Sequence, residues 1–289
     1  MPTPDLPPNV PDTTLSTGDK SIPSTPTATS PHAPTLHPST FTLQPPPPSL
    51  TLVTGSAGCI GQAVIRELLA RGVSVRGFDR VPTPGLPGSH VGDLTDAAAL
   101  RRAAEGAQNV IHLAATPDDA DFMTEILPNN IIGLHHVLEA TRLAGARRLV
   151  LASTGQVNWW QRERTEHPIH PDEPTTPRYW YAAAKVFAEG IGQGYAVTHG
   201  LSVIAVRLGW CPRPGQENDV AALDWAKDLY LSPGDAGRFF HAAICAPLTI
   251  RYAVVYATSR HIRLPRFDLG PTKALLGWEP RDQWPDGLA

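Results

Sequence analysis

The chain has 289 residues, a formal net charge of −3 and 42% hydrophobic residues, enough apolar material for one large core or two small ones. So even a charge balance gives no reason to expect nucleic acid or an anionic membrane as a partner. The three cysteines, Cys59, Cys211 and Cys245, are far apart and show no CxxC or Cys/His ligand spacing, so no disulfide framework or metal site is expected and a reducing, cytoplasmic setting is the default.

Fourteen of the 31 prolines fall in residues 1–49, beside sixteen serines and threonines and one aromatic, Phe41. Such a segment cannot bury enough apolar surface to offset its ordering entropy. Residues 1–48 are therefore expected to be a disordered Pro/Ser/Thr-rich N-terminal extension. The Pro45–Pro48 run has the composition of a ligand for an SH3- or WW-type groove, although a plain extension is the simpler reading. The folded part is expected over 49–289, and no apolar run reaches the roughly 18 to 20 residues of a membrane span.

Leu50–Val53 reads as a strand leading into Gly55, Gly58 and Gly61, and a helical pattern follows with Ile60, Val64 and Leu68 on one face. Strand, glycine turn and helix aim free backbone N–H groups and the positive helix end at a pyrophosphate. Gly55 permits the tight turn, Gly58 the approach of the ligand, and Gly61 close helix–strand packing. Gly72 is expected to end the helix and Val73–Phe78 to form a second strand. Asp79 stands at its end, 18 residues beyond Gly61. An acid there accepts hydrogen bonds from the adenosine ribose and disfavours a 2′-phosphate, which points to NAD; Arg80 beside it leaves NADP open.

A short strand near His90-Val91 precedes Gly92-Asp93-Leu94, and Thr95 or Asp96 is placed to cap a helix carrying Leu100 and Ala104. Asn109–Leu113 reads as the fourth strand, and the small residues Ala114 and Ala115 at its end let a cofactor lie close to the backbone. A long helix is expected from Asp121 to Ala144, kinked or split by Pro128. Arg147–Ala152 reads as the fifth strand, tipped by Ser153 and Thr154. The alternation predicts an α/β fold, a Rossmann-type doubly wound parallel sheet with a small C-terminal substrate-binding portion from about residue 208.

After a polar loop to Arg178 comes a helix with Tyr181-Ala-Ala-Ala-Lys185. Residues four apart share a helix face. A phenol is mostly protonated at neutral pH, a nearby cation favours the phenolate by about 1.4 kcal/mol per pKa unit, and the Thr154 hydroxyl can share the moving proton. Trp159, Trp160, Trp180 and Trp210 fall near the expected cleft, either stacking on a sugar or packing under a loop. His167 and His170 read as a solvated loop, Cys59 as packing, and Ser232-Pro233 as a helix entry that turns Phe239, Phe240 and Ile244 toward a core or a subunit interface.

Together Thr54-Gly55-Ser-Ala-Gly58-Cys-Ile-Gly61, Asp79, Gly92-Asp93-Leu94, His112-Leu-Ala-Ala115, Asn130-Ile-Ile-Gly133, Ser153-Thr154, Tyr181-Ala-Ala-Ala-Lys185, Arg207-Leu-Gly209 and Leu275-Leu-Gly-Trp-Glu-Pro280 resemble the extended short-chain dehydrogenase/reductase superfamily of NAD-dependent epimerases and dehydratases. The resemblance implies that Tyr181 is the general acid/base. Lys185 would hold the nicotinamide ribose and lower the tyrosine pKa, and Thr154 would bond the reacting oxygen. It places the turn residues Ala57, Cys59 and Ile60 at the cofactor with the three glycines, Asp93 and Leu94 beside the adenine, and Ala114 and Ala115 along the diphosphate–ribose path. Asn130 takes a structural or relay position, and a homodimer through the two long helices is implied.

Only 104 residues follow Lys185, which the resemblance reads as room for a small free substrate rather than a nucleotide sugar. Within the branch the chain is most similar to the uronate dehydrogenases, which oxidise a sugar acid at its anomeric carbon. It departs from them where they follow the catalytic hydroxyl with Asn-His; here the residues are Gly155-Gln156. Pro117 and Trp210 replace expected serines, and the arginine expected ahead of Trp225 is absent, with Arg213 nearby. Gly155, Gln156, Trp210 and Arg213 are thus the expected substrate contacts of an NAD-dependent oxidoreductase acting on a small sugar or sugar acid. A sugar epimerase/dehydratase and a non-catalytic NAD(P)-binding regulatory protein are the alternatives.

Overall fold

Seven strands form one sheet in the computed structural model, which describes residues 49–161, 164 and 166–288. They are β1 (Leu50–Thr54), β2 (Ser74–Asp79), β3 (His90–Val91), β4 (Asn109–His112), β5 (Arg148–Thr154), β6 (Ser202–Leu208) and β7 (Tyr252–Ala257). All neighbours pair in parallel, in the order β3-β2-β1-β4-β5-β6-β7. The order turns back on itself between β1 and β4, which opens a crevice beyond their carboxyl ends. The expectation for residues 1–48 lies outside the described residues.

The strands read as continuous apolar runs because both faces are covered. Leu52, Val110, Leu149 and Val203 point to one side, where they pack with Leu100 of α2 (Ala97–Ala104) and with Leu134 and Leu138 of α3 (Gly133–Leu143). Their neighbours Val53, Ile111, Val150 and Ile204 point to the other side, against Val64 and Leu68 of α1 (Cys59–Ala70). Phe239 and Phe240, on a later helix (Pro233–Cys245), are fully buried on that second side.

Local chemistry sets the ends. Gly72, at φ 73°, donates to Leu69 O (3.0 Å) while Val73 donates to Leu68 O (3.0 Å), the left-handed stop expected after α1. Asp96, not Thr95, caps α2, accepting from the N–H groups of Ala98 and Ala99. Ser232 Oγ accepts from Asp235 N–H (2.8 Å) with Pro233 following it, as the sequence predicts. The helix expected over Asp121–Ala144 is a π-helical turn, Phe122–Ile132, running into α3. Pro128 supplies no N–H and its ring crowds the preceding turn, which the wider winding accommodates. A Cβ at Gly133 would meet Leu94 Cβ at 2.6 Å, so glycine there lets α3 cross the Asp93-Leu94 segment. Strand β5 reaches two residues further than expected, so Ser153 and Thr154 belong to the sheet. No helix among the described residues is long and apolar enough to cross a membrane.

The remaining helices are α4 (Trp180–His199), α5 (Glu217–Ala221), α6 (Asp224–Asp228), α7 (the Pro233–Cys245 helix) and α8 (Gly270–Leu276).

Candidate active site

One cleft of about 1090 Å³ opens at the carboxyl edge of the sheet, and every site residue expected from the sequence lines it. At one end lies the glycine turn. Gly55 has φ 72°, and a Cβ there would stand 2.7 Å from Ala114 N; one at Gly61 would stand 2.1 Å from Gly55 O. Both glycines are demanded by the fold. A Cβ at Gly58 would meet only Gly55 O, at 3.3 Å, so its open side is the cleft. No side chain caps α1, whose first residues Cys59, Ile60 and Gly61 line the cleft. Uncapped N–H groups at a helix start suit a phosphate.

Asp79 accepts a hydrogen bond from Ala57 N–H (2.9 Å), which fixes its carboxylate against the turn. Thr95 donates twice to Asp93 Oδ1, from N–H (2.8 Å) and hydroxyl (2.7 Å), and these bonds hold the Asp93 carboxyl below its ordinary range. Leu94 O bonds His136 Nδ1 at 2.9 Å. Beyond Ala114 and Ala115, Asn130 clamps the chain by accepting from Thr116 N–H (2.8 Å) and donating to Thr116 O (3.1 Å), a structural role. Cys59 Sγ donates to Pro212 O at 3.9 Å, and its contact with Cys211 draws the thiol below its ordinary value.

The other end gathers Thr154 from β5 with Tyr181 and Lys185 from α4. The Thr154 hydroxyl, which accepts from Gln156 N–H at 3.2 Å, favours the phenolate of Tyr181. Burial pushes the phenol up to about 12, Asp118 adds to the rise, and Thr154 and Arg213 oppose it. Lys185 Nζ donates to Ala152 O (2.9 Å) and lies 5.7 Å from the Tyr181 ring centre. Burial pulls Lys185 down to about 8. The resemblance implies that the lysine lowers the phenol; here the lowering comes from Thr154 and Arg213, and burial outweighs both because removing an incipient anion from water opposes ionisation. His112, bonded to Thr54 Oγ1 at 2.8 Å, is driven down to about 3 by burial and then by Lys185, so it is neutral.

Beside Thr154, Ser153 turns its hydroxyl to a buried carboxylate. Its hydroxyl donates to Glu189 Oε1 (2.6 Å), and Glu189 receives two bonds from Arg207, 3.0 Å from Nε and 2.9 Å from Nη2. Arg207 Nη1 also reaches Asn158 Oδ1, Pro171 O and the Tyr256 hydroxyl. Glu189 escaped the sequence reading, though its signal was there: it follows Lys185 by four residues, as Lys185 follows Tyr181.

Next to Thr154, a Cβ on Gly155 would stand 2.5 Å from Phe267 Cζ. Gly155 lines the cleft and also leaves the room in which the Phe267 ring sits. Phe267, stacked on Tyr256 at 4.2 Å, lines the cleft without any local sequence signal. Gln156 Nε2 donates to Asp118 Oδ1 (3.2 Å) and Arg213 Nη2 to Asp118 Oδ2 (2.6 Å). Asp118 was missed as well; it lies in the loop after β4 with φ 61°. Trp210 faces Trp225 at 6.3 Å, and Trp159 lines the cleft. Trp160 and Trp180 are exposed and lie outside the lining, Trp180 packing on Phe122 at 4.7 Å.

The model of the NAD dependent epimerase/dehydratase family matches residues 51–219. L-arabinose 1-dehydrogenase (NAD(P)(+)) of Haloferax volcanii is 31% identical over 249 residues, covering 80% of this chain and 95% of that protein. Uronate dehydrogenase of Pseudomonas putida is 28% identical, covering 80% of this chain and 83% of its own length. Among solved structures, a mutant uronate dehydrogenase of Agrobacterium tumefaciens complexed with NAD superposes with a TM-score of 0.67 at 27% identity, over 81% of this chain and 85% of that one.

Proposed function

The chain belongs to the NAD dependent epimerase/dehydratase family, and from that premise we propose that it is an NAD-dependent oxidoreductase that oxidises a small sugar or sugar acid. The observation that carries the reading is that Thr154, Tyr181 and Lys185 line the same cleft as the glycine turn and Asp79. The residues present fit a dinucleotide: an uncapped helix start, a glycine open to the cleft and an acid at the end of β2. Bound there, NAD would supply the hydride acceptor.

In this reading the turn of Gly55, Ala57, Gly58, Cys59, Ile60 and Gly61 holds the diphosphate. Asp79 takes the adenosine ribose, Asp93 and Leu94 border the adenine, and Ala114 and Ala115 leave room along the path. Tyr181 takes the proton of the reacting hydroxyl and Thr154 bonds the same oxygen. At neutral pH a lysine near 8 is mostly cationic, so Lys185 brings a positive charge to the developing phenolate while neutral His112 adds none. The relatives named above act on arabinose and on uronates, which supports a small carbohydrate. The same reading takes residues 49–289 as one NAD(P)-binding domain whose C-terminal elements, from about 208, supply Trp210 and Arg213. Met123, Ile132, Trp180 and Phe187, exposed along the two long helices, favour a homodimer.

Replacing Tyr181 by Phe should leave NAD binding within a few-fold and lower turnover by about 10²–10⁴-fold. Retained turnover would sink the assignment. NADH accumulating in proportion to substrate consumed separates a dehydrogenase from an epimerase, which returns its hydride.

A further inference from the structure

We propose that the Asp118–Arg213 pair is the substrate-discriminating element of this cleft and that it selects a neutral aldose over a sugar acid. The inference rests on the dehydrogenase reading above and deepens it.

Three loops meet in this element, those after β4, β5 and β6. Both oxygens of Asp118 are engaged, Oδ1 by Gln156 Nε2 and Oδ2 by Arg213 Nη2. Arg213 is itself held in place: its backbone N–H (3.0 Å) and its Nε (3.3 Å) both donate to Gln216 Oε1. Among the described residues Asp118 is the one non-glycine with positive φ, a conformation asparagine and aspartate tolerate. The pair lines the cleft, and the Tyr181 phenol senses both charges, Asp118 raising its pKa and Arg213 lowering it. Tyr181 lines the same cleft as the pair.

A sugar carboxylate needs a cation that is not already neutralised. Arg213 already holds a carboxylate at 2.6 Å, so an incoming one would be set against the Asp118 charge. Of the other cations of the lining, Lys185 is buried and anchored on Ala152 O, and Arg80 follows Asp79 at the far end. Arg178, near the mouth, lies over the rings of Trp159, Trp160 and Tyr179. A neutral hydroxyl suffers no such conflict. It can donate to Asp118 while accepting from Arg213 or Gln156, so neighbouring sugar hydroxyls can insert into the pair without displacing either charge. Trp210 and Trp225 offer apolar faces nearby for the ring.

The test uses matched sugars differing at C6, galactose against galacturonate and glucose against glucuronate, with the NAD-loaded protein. NADH formation gives kcat/KM, and quenching of tryptophan fluorescence with NADH bound gives affinity without turnover. Wild type should favour the neutral member at least tenfold by either measure. Asp118→Asn keeps the backbone conformation and frees Arg213, and should move the ratio at least tenfold toward the uronate. Arg213→Gln should weaken the neutral sugar and bring no gain for the uronate. A wild-type preference for the uronate, or a ratio unmoved by Asp118→Asn, would overturn the inference while leaving the dehydrogenase reading intact. Binding selectivity that shifts as expected, without NADH from any sugar, would sustain the inference and remove the dehydrogenase reading. Failure of both proteins to bind either sugar would overturn the inference.

Discussion

Lys185→Met removes a charge that the fold holds at a disadvantage, and its effect on stability can be worked from the structure. Burial brings Lys185 to about 8, against 10.5 for the free side chain. At about 1.36 kcal/mol per unit, the folded state carries a penalty of about 3 kcal/mol wherever both states are charged, that is below pH 8. Between pH 8 and 10.5 the folded protein sheds the proton first. The unfolded chain then binds more protons, stability rises with pH, and above 10.5 the penalty is gone. Methionine has similar reach and no charge, but it forfeits the bond to Ala152 O, worth about 1–2 kcal/mol. The cofactor-free variant should therefore be more stable than wild type by about 1–2 kcal/mol at pH 7, and equal or less stable at pH 10. Urea midpoints at both pH values, with unchanged slopes, give the difference, and other titrating groups cancel between the two proteins. The same variant should turn over no substrate. A variant less stable than wild type at pH 7, or a gap that ignores pH, would refute the reasoning.

Four further outcomes are expected. Asp79→Asn keeps an acceptor for Ala57 N–H but removes the charge that repels a 2′-phosphate, so kcat/KM with NADP should rise relative to NAD by about tenfold; an unmoved ratio would detach Asp79 from the cofactor. Gly155→Ala drives a methyl to 2.5 Å from Phe267 and should lower stability by about 1–3 kcal/mol in urea, whereas no loss would mean that the ring swings away freely. Glu189→Gln strips the buried Arg207 of its counter-charge and should lower stability by about 3–5 kcal/mol. Glu67→Gln, at the exposed pair with Arg71, should change it by less than about 1 kcal/mol.

The sheet and its crevice were readable because their signals are local. The apolar run of β1, the glycine spacing and the acid that ends β2 are each local signals, and the fold demands Gly55 and Gly61 as steric facts. The cleft lining was readable for the same reason, since short segments at strand ends carry it. What stayed hidden depends on distance along the chain. Phe267 meets Gly155 across more than a hundred residues, so the packing role of the glycine has no local signal. Asp118 could not be tied to Arg213 before the loops were placed, and its left-handed backbone left no mark in the sequence. The phenol of Tyr181 rises rather than falls because burial depends on the assembled fold, not on the spacing to Lys185.

The buried pair behind the cleft has an angular consequence. Tyr181, Lys185 and Glu189 follow one another at four-residue steps, so they project from one face of α4. Arg207, seated on β6, grips Glu189 through two nitrogens and so fixes the rotation of that helix about its own axis. With the phenol oxygen about 8 Å from the axis, a roll of about 7° would move it by about 1 Å, a displacement able to slow chemistry by about a hundredfold. Arg207 touches nothing that reacts, yet it sets the azimuth at which the tyrosine meets whatever lies in the cleft.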